Sequence, residues 1–353
     1  MKVLTVVGAR PQFVKAAAVS RELRRRHDEV LVHTGQHYDE EMSDVFFEEL
    51  GIPEPDDNLG VGSSNHSDQT AEMLAGLGEK IATEEPDVVL VYGDTNSTLA
   101  AAIAASKADT RLAHVEAGLR SYNREMPEEI NRVLTDHAAD LLFAPSRRAV
   151  ANLEDESVSG AVHDTGDVMY DAVLWARERA EENSEILSEF GVKSGEYVLA
   201  TVHRAANTDD PDRLAAILDA LAGDSREVVL PAHPRTINRM REYEMYDEAR
   251  EKLTLVEPVG YLDFVRLQDC ADVVATDSGG VQKEAFFLDT PCVTMREETE
   301  WRETVDAGWN ELVGANETAI RRALDDADPP SDKPRPYGDG DAAARITELL
   351  NDV

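Results

Sequence analysis

The chain is expected to be an α/β protein of two doubly wound units, and three observations carry that expectation. Short apolar runs alternate with amphipathic helical runs almost from end to end, the rhythm of parallel strands joined by right-handed crossovers. The rhythm lapses at Thr165-Gly166-Asp167 and the acidic helical run Asp171–Phe190, then starts again. A length of 353 residues is also more than one core usually accommodates. Two Rossmann-like domains with a cleft between them follow: residues 1–168, residues 169–335, and a last helical segment, 336–353, crossing back to the first.

The opening run Lys2–Val7 reads as a strand, Gly8-Ala9-Arg10-Pro11 as a turn, and Gln12 to Arg26 as an amphipathic helix. Glu29–His33 is the next strand and leads into Thr34-Gly35-Gln36-His37-Tyr38. Residues 51–65, rich in Pro, Asp, Asn and Gly, read as a surface loop. A helix over Ser67–Glu85, the strand Asp87–Tyr92, the turn Gly93-Asp94-Thr95-Asn96 and a helix over Ser97–Lys107 come next. The strand Arg111–Val115 ends at Glu116-Ala117-Gly118-Leu119-Arg120. Turn-rich Ser121–Pro127 then precedes a helix carrying Glu128, Asn131, Arg132, Asp136 and His137, and Asp140–Pro145 is a strand. In the second half, Tyr197–Thr201, Glu227–Pro231, Thr254–Val256, Val273–Thr276 and Pro291–Met295 read as strands, Pro211–Ala222 as a helix, and Ala342–Leu350 as the last helix.

Composition narrows the function. The formal charge is −36, with 71 acidic against 35 basic residues. Such a surface repels nucleic acid and anionic membranes, so neither is an expected partner. Periodic apolar segments argue against disorder, and the charge reads as a solvation layer suited to high salt. Cys270 and Cys292 lie in apolar surroundings and suggest no disulfide framework. The chain opens directly on a strand, and no apolar run approaches the roughly 20 residues that span a bilayer. A soluble, cytoplasmic protein is expected.

The stretch Val273 to Ala285 is the focus of the chain. An apolar strand ends in Thr276-Asp277-Ser278-Gly279-Gly280, and a helix-forming run follows. Gly279 and Gly280 let backbone N–H groups approach a ligand, and the helix dipole favours a phosphate there. Glu284 then faces the same end of the helix and suits vicinal sugar hydroxyls. The plainer alternative is an ordinary helix capped by Asp277 or Ser278.

Ligands of open α/β sheets sit beyond the carboxyl ends of the strands. Arg10, His33, Asp94, Glu116, His203, His233 and Ser278 all fall there, although each alone is also a common cap, turn or surface residue. Asp94, Glu116 and Glu128 form an acidic set. Removing and returning a proton at carbon needs a positioned base on each face, which paired carboxylates supply. A metal site is the rival reading, but no metal-ligand spacing accompanies these acids, so no metal or other cofactor is expected. Arg10, Lys15 and His203-Arg204 balance a diphosphate, with Lys15 alternatively a solvated helix charge. No Walker loop or Gly-x-Ser-x-Gly elbow is present.

Gly8-Ala9-Arg10-Pro11, Gly93-Asp94-Thr95, His114-Val115-Glu116-Ala117-Gly118-Leu119-Arg120, Pro127 to Arg132, His203-Arg204 and Thr276 to Ala285 occur in one order over essentially the whole chain. In this the sequence resembles the non-hydrolysing UDP-N-acetylglucosamine 2-epimerases. The resemblance implies a glycosyltransferase type B-like fold, a homodimer, and a UDP-sugar in the interdomain cleft. It implies that Ser278, Gly279, Gly280 and His203 engage the diphosphate, that Glu284 holds the ribose, and that Arg10 and the backbone around Phe264 serve the nucleotide. Asp94, Glu116 and Glu128 match the family's catalytic acids, with His203 a further catalytic position and Lys15 and Arg132 supporting. The implied reaction inverts C2 by eliminating UDP to a 2-acetamidoglucal and adding it back, feeding surface polysaccharide or glycan synthesis. Bacterial relatives bind a second UDP-N-acetylglucosamine, and the matching allosteric positions are Gln36, His37 and His233, which also read as a strand-end turn and a helix start.

The sequence departs from the common bacterial pattern in three places. Gly-Ala-Arg-Pro-Gln stands at 8–12 where Gly-Thr-Arg-Pro-Glu is usual. His203-Arg204-Ala205-Ala206-Asn207 replaces an Arg-Glu continuation, and Thr299-Glu300-Trp301 stands where Thr-Glu-Arg is usual. These variants resemble the branch acting on UDP-2,3-diacetamido-2,3-dideoxyglucuronate, which is the alternative substrate. A retaining glycosyltransferase, a hydrolysing epimerase and a UDP-sugar sensor are the rivals of other kinds, and the acid set argues against the first and last.

Overall fold

The computed structural model describes residues 1–36, 51, 54–62 and 64–351. The chain divides into two compact units, Met1–Ala172 with Arg335–Val353, and Val173–Pro334. Both are α/β with parallel sheets.

Unit 1 runs β1 (Lys2–Val7), α1 (Arg10–Leu23), β2 (Asp28–His33), β3 (Asp57–Asn58), α2 (His66–Glu84), β4 (Val88–Tyr92) and α3 (Asn96–Ala108). It continues with β5 (Arg111–Val115), α4 (Pro127–Ala138), β6 (Leu141–Ala144), α5 (Arg147–Asp155) and β7 (Ala161–Asp164). The strands lie in the order β3-β2-β1-β4-β5-β6-β7 with parallel neighbours. β4 is buried along its whole length and β1 beyond Lys2, because helices cover both faces. This is why they read as unbroken apolar runs rather than alternating ones. α3 begins at Thr95, whose hydroxyl accepts from the Thr98 N–H at 3.3 Å. Its buried Ala100, Ala101, Ala102, Ala104 and Ala105 leave room for Met73, Leu77 and Ile81 of α2.

Unit 2 follows α6 (Val168–Asn183), whose first residues belong to unit 1. It holds α7 (Ile186–Phe190), β8 (Tyr197–Thr201), α8 (Ala205–Thr208), α9 (Pro211–Ala222), β9 (Glu227–Pro231), α10 (Pro234–Glu242), α11 (Tyr246–Lys252) and β10 (Thr254–Val256). Then come α12 (Tyr261–Cys270), β11 (Val273–Thr276), α13 (Gly279–Phe287), β12 (Cys292–Thr294), α14 (Arg302–Asp306), β13 (Asn310–Leu312) and α15 (Glu317–Asp325). The parallel order is β10-β9-β8-β11-β12-β13. The last helix, α16 (Ala342–Leu350), returns to unit 1 and packs on α1. The carboxylate of Asp171 accepts from the N–H groups of Ala342 and Ala343, at 3.2 and 2.9 Å, at the start of that helix.

The structure corrects the sequence reading at several elements. The segment 51–65 is not all loop: Asp57 and Asn58 pair with Val32 and His33 as the edge strand β3. The expected single helix Asp171–Phe190 is two helices, α6 and α7, broken where Ser184 turns its hydroxyl to Asp263 at 2.6 Å. Edge strands β7 and β13 escaped the pattern because they are short and half-exposed, so they lack an apolar run.

In each sheet the strand order reverses once, between β1 and β4 in unit 1 and between β8 and β11 in unit 2. The crevices outside the carboxyl ends of these strand pairs are where open α/β sheets bind ligands.

Candidate active site

The unit 1 crevice is built from the loop after β1 and the turn after β4. Gly8 lets the first loop lie against α3, because a Cβ there would sit 2.1 Å from Ser97 Oγ and 2.2 Å from Thr34 Oγ1. Gln12 then ties the two strands together. Its Oε1 accepts from the N–H groups of Gly8 and Ala9 at 2.8 and 3.1 Å, while its Nε2 donates to the Tyr92 carbonyl and Thr98 Oγ1 at 2.8 and 3.0 Å. A glutamate could accept but not donate, so glutamine at 12 is part of how this chain joins β1 to β4.

One turn further along α1, Lys15 forms a buried ion pair with Glu116. It is therefore no solvated helix charge. Glu116 follows β5 in a left-handed conformation, φ 71°. Asp94 follows Gly93 and pairs with Arg132 of α4, while Asn131 donates to the Asp94 carbonyl at 3.0 Å. Burial pushes the Asp94 carboxyl above its usual range, with Arg132 pulling it down and Glu116 pushing it up. Lys15, Asp94 and Glu128, which is exposed in the first turn of α4, line one cavity of about 370 Å³. Gln36, His66 and Asn131 also line it. Asp94 and Glu128 of the sequence reading thus share the cavity, whereas Glu116 does not line it and is joined to it through Lys15. Among the described residues, no group of three or more His, Cys, Asp or Glu side chains is arranged to hold a metal ion.

In unit 2, Ser278 occupies the N-cap position of α13, but no side chain caps the helix. The first-turn N–H groups therefore stay open to a ligand, with Gly279 facing Trp301 Nε1, Glu300 and Arg296. Asp277 is not a helix cap. Its fully buried carboxylate accepts from the backbone N–H groups of His203 and Arg204, at 3.1 and 3.0 Å, and from Asn207 Nδ2 at 3.1 Å. It fixes the loop after β8 beside α13 and leaves the His203 ring exposed, with Nδ1 3.3 Å from Asp277 Oδ1. The sequence reading gave Asp277 no such role, although a carboxylate at a strand end beside glycines was the available signal. Glu284 is buried and accepts from Gln268 Nε2 at 2.9 Å.

Other positions fall differently. The Phe264 N–H is spent on the Gly260 carbonyl inside α12, at 2.9 Å, and its ring packs on the unit 2 core. The backbone around Phe264 thus has that N–H already used. His33, placed at a strand end by the sequence, is the buried last residue of β2, and its ring is turned inward. Its ring stacks on Phe13 and its Nδ1 accepts from the Gly35 N–H at 2.8 Å. Burial holds its pKa down to about 4, against a raising bond from Asn58. Of the allosteric positions, Gln36 belongs to unit 1 and spends its Oε1 on Ser97 N and Oγ, at 3.0 and 2.7 Å. His233 belongs to unit 2 and caps α10 by accepting from the Arg235 N–H at 3.1 Å. His37 and the side chain of Arg10 lie outside the described residues.

Residues 21–351 match the family model for UDP-N-acetylglucosamine 2-epimerase. The chain belongs to that family. It is accordingly an isomerase. Over the whole length of both chains it is 48% identical to a UDP-N-acetylglucosamine 2-epimerase homolog of Methanococcus maripaludis. It is 47% identical, over 99% of each chain, to the UDP-2,3-diacetamido-2,3-dideoxy-D-glucuronate 2-epimerase of Pseudomonas aeruginosa. The crystal structure of the Methanocaldococcus jannaschii UDP-GlcNAc 2-epimerase in complex with UDP-GlcNAc and UDP is 40% identical, covers all of both chains, and superposes with a TM-score of 0.87.

Proposed function

We propose that the chain interconverts UDP-N-acetylglucosamine and UDP-N-acetylmannosamine by inverting C2 of the sugar. A base takes the C2 proton, the C–H electrons form the C1=C2 bond, and the C1–O pair departs with UDP. UDP then adds back at C1 while an acid protonates the opposite face of C2, so protons and electrons balance over the cycle. The observation that carries this reading is the set of acids around the unit 1 cavity, two of them braced by cations: Glu116 by Lys15 and Asp94 by Arg132. Burial raises the Asp94 carboxyl above the usual aspartate range, with Arg132 opposing the shift and Glu116 adding to it. In unit 2 the uncapped α13 N-terminus, with His203 and Arg204 held by Asp277, suits the departing diphosphate.

The expected setting is cytoplasmic, as a homodimer, supplying surface polysaccharide or glycan precursors, with the charge of −36 suited to high salt. Among the described residues no helix is long and apolar enough to cross a membrane.

A second substrate, the UDP-diacetamidoglucuronate, is favoured by one specific observation. Identity to the Pseudomonas aeruginosa enzyme is 47%, against 41% to the UDP-N-acetylglucosamine 2-epimerase of Methanocaldococcus jannaschii. A C6 carboxylate calls for a cation. Arg296 is buried and bonds Glu300 through both Nη atoms at 3.1 Å, whereas Arg302 is exposed at the start of α14. Each UDP-sugar incubated separately, with C2 inversion followed by proton NMR, decides between them. Turnover of the uronate alone would overturn the first reading.

A further inference from the structure

A chain of polar groups, half-buried at Glu156 and fully buried at Asp136 and His114, leads to the wall of the unit 1 cavity, and the reaction as written makes no use of it. Glu156 takes Arg120 in a bidentate pair, with Nε and Nη2 both at 2.7 Å. Arg120 Nη1 donates to Asp136 Oδ2 at 2.7 Å, and the Gly118 N–H donates to the same oxygen at 3.1 Å. Asp136 Oδ1 lies 2.7 Å from His114 Nδ1, and His114 Nε2 lies 2.7 Å from the carbonyl oxygen of Gly93. His114 and Asp136 are fully buried.

The Gly93 end of this chain fixes the place of one proton. A carbonyl oxygen only accepts, so His114 Nε2 carries a proton and donates it to Gly93. Asp136 holds the ring by its other nitrogen, so the imidazole cannot turn away.

The donor meets the 93–94 peptide between two other anchors, the Gly93 N–H bonded to the Val115 carbonyl at 3.0 Å and the Asp94 carbonyl accepting from Asn131 at 3.0 Å, and it holds the one carbonyl between them. Gly93 sits at φ 60°, and without a Cβ its ψ, which sets the 93–94 peptide plane, is less restricted by sterics than that of any other residue. That peptide carries Asp94. A Cβ at Gly93 would lie 3.3 Å from Glu116 Oε2 and 3.4 Å from Lys15 Nζ, so the same turn also forms the wall behind the Lys15–Glu116 pair. A flip of this peptide would re-aim Asp94 and open space behind Glu116.

We propose that His114 is a positioning residue. Through its Nε2–H bond to the Gly93 carbonyl it locks the Gly93–Asp94 peptide and so aims the Asp94 carboxyl, with Asp136, Arg120 and Glu156 fixing the ring. This rests on the reading of Asp94 as a reacting acid. His114 itself touches no substrate.

The test compares His114→Leu, His114→Gln and Asp94→Asn in the full chain. Leucine fills the space without a donor, whereas the glutamine amide places an N–H where Nε2 stands. His114→Leu should lower kcat by about 100-fold with KM for the UDP-sugar and the affinity for UDP within twofold of the parent. His114→Gln should recover at least a tenth of parental kcat. A merely structural histidine would lower the melting temperature of both variants and leave kcat alone at temperatures below melting. If His114→Leu does not fold, His114→Gln alone decides: kcat below a hundredth of parental in a folded protein overturns the proposal. Parental kcat in folded His114→Leu, or equal losses in both variants, also overturns it. Asp94→Asn separates the two levels, because parental turnover there removes the reading of Asp94 itself, whereas an inactive Asp94→Asn beside an unaffected His114→Leu removes only the positioning role.

Discussion

Glu116→Gln is the substitution whose consequences the structure sets out most fully. The Lys15 and Glu116 side chains are 10% and 9% exposed and paired with each other. Neutralising one partner leaves the other charge buried, which typically costs about 3–5 kcal/mol. The glutamine carbonyl still accepts from the ammonium and returns about 1 kcal/mol, so a net loss of about 2–4 kcal/mol in stability is expected. Turnover should fall by about two or more orders of magnitude, because a group that must gain or lose a proton no longer does. Lys15→Met leaves the complementary defect, taking the cation away from the Glu116 carboxylate. Joining the two substitutions removes both charges, so the double variant should be more stable than the sum of the single losses predicts. Denaturant unfolding of the four proteins measures that coupling, and NMR-detected epimerisation beside UDP calorimetry separates turnover from nucleotide binding. Strictly additive stability losses would refute the buried pair. Near-parental turnover in Glu116→Gln would refute its role in proton transfer.

Four further outcomes are expected. Asp277→Asn puts an amide where three donors converge, at 3.0 to 3.1 Å, and should weaken UDP binding about tenfold; unchanged calorimetry would contradict the bracing role. Gly93→Ala adds a Cβ at φ 60° against Glu116 and Lys15 and should cost about 1–2 kcal/mol with a marked loss of turnover, which thermal unfolding and initial rates check. Burial raises the Asp171 carboxyl from 3.8 to about 6, so the folded state binds its proton more tightly and this contribution is full below pH 3.8 and lost as pH rises through 6. That difference is worth about 3 kcal/mol, so Asp171→Asn should be the more stable protein at pH 7.5 and lose its advantage at pH 3.5; a constant difference at both pH values would be contrary. Thermal stability should rise with potassium chloride, since salt screens a net charge of −36, and a maximum near zero salt would remove the high-salt reading.

Much of this architecture was legible because the central strands are buried on both faces. β1, β4, β8 and β11 announce themselves as apolar runs, and the polar residues that follow them mark the crevices. The edge strands β3 and β7 carry no such signal, and neither does the break at Ser184, which a distant partner, Asp263, makes favourable. The acids were legible as strand-end and helix-start residues. Lys15 and Arg132 entered as supports of the acids only through the resemblance, and which acid each one pairs with was not legible, since each pair joins residues far apart in sequence that the sheet order brings together. The same holds for Asp277, which reads locally as a helix cap but faces the loop after β8 instead. His114 sits inside an apolar strand, where nothing local says that its two ring nitrogens meet Gly93 and Asp136.

The most direct test of C2 chemistry is to incubate the purified chain with UDP-N-acetylglucosamine in deuterium oxide, with no acceptor present, and to follow the C2 position by NMR. Deuterium should enter C2 of both the starting sugar and its mannosamine epimer as they interconvert, with UDP returned to the sugar. Release of UDP without deuterium at C2, or tight binding with no exchange, would contradict the account.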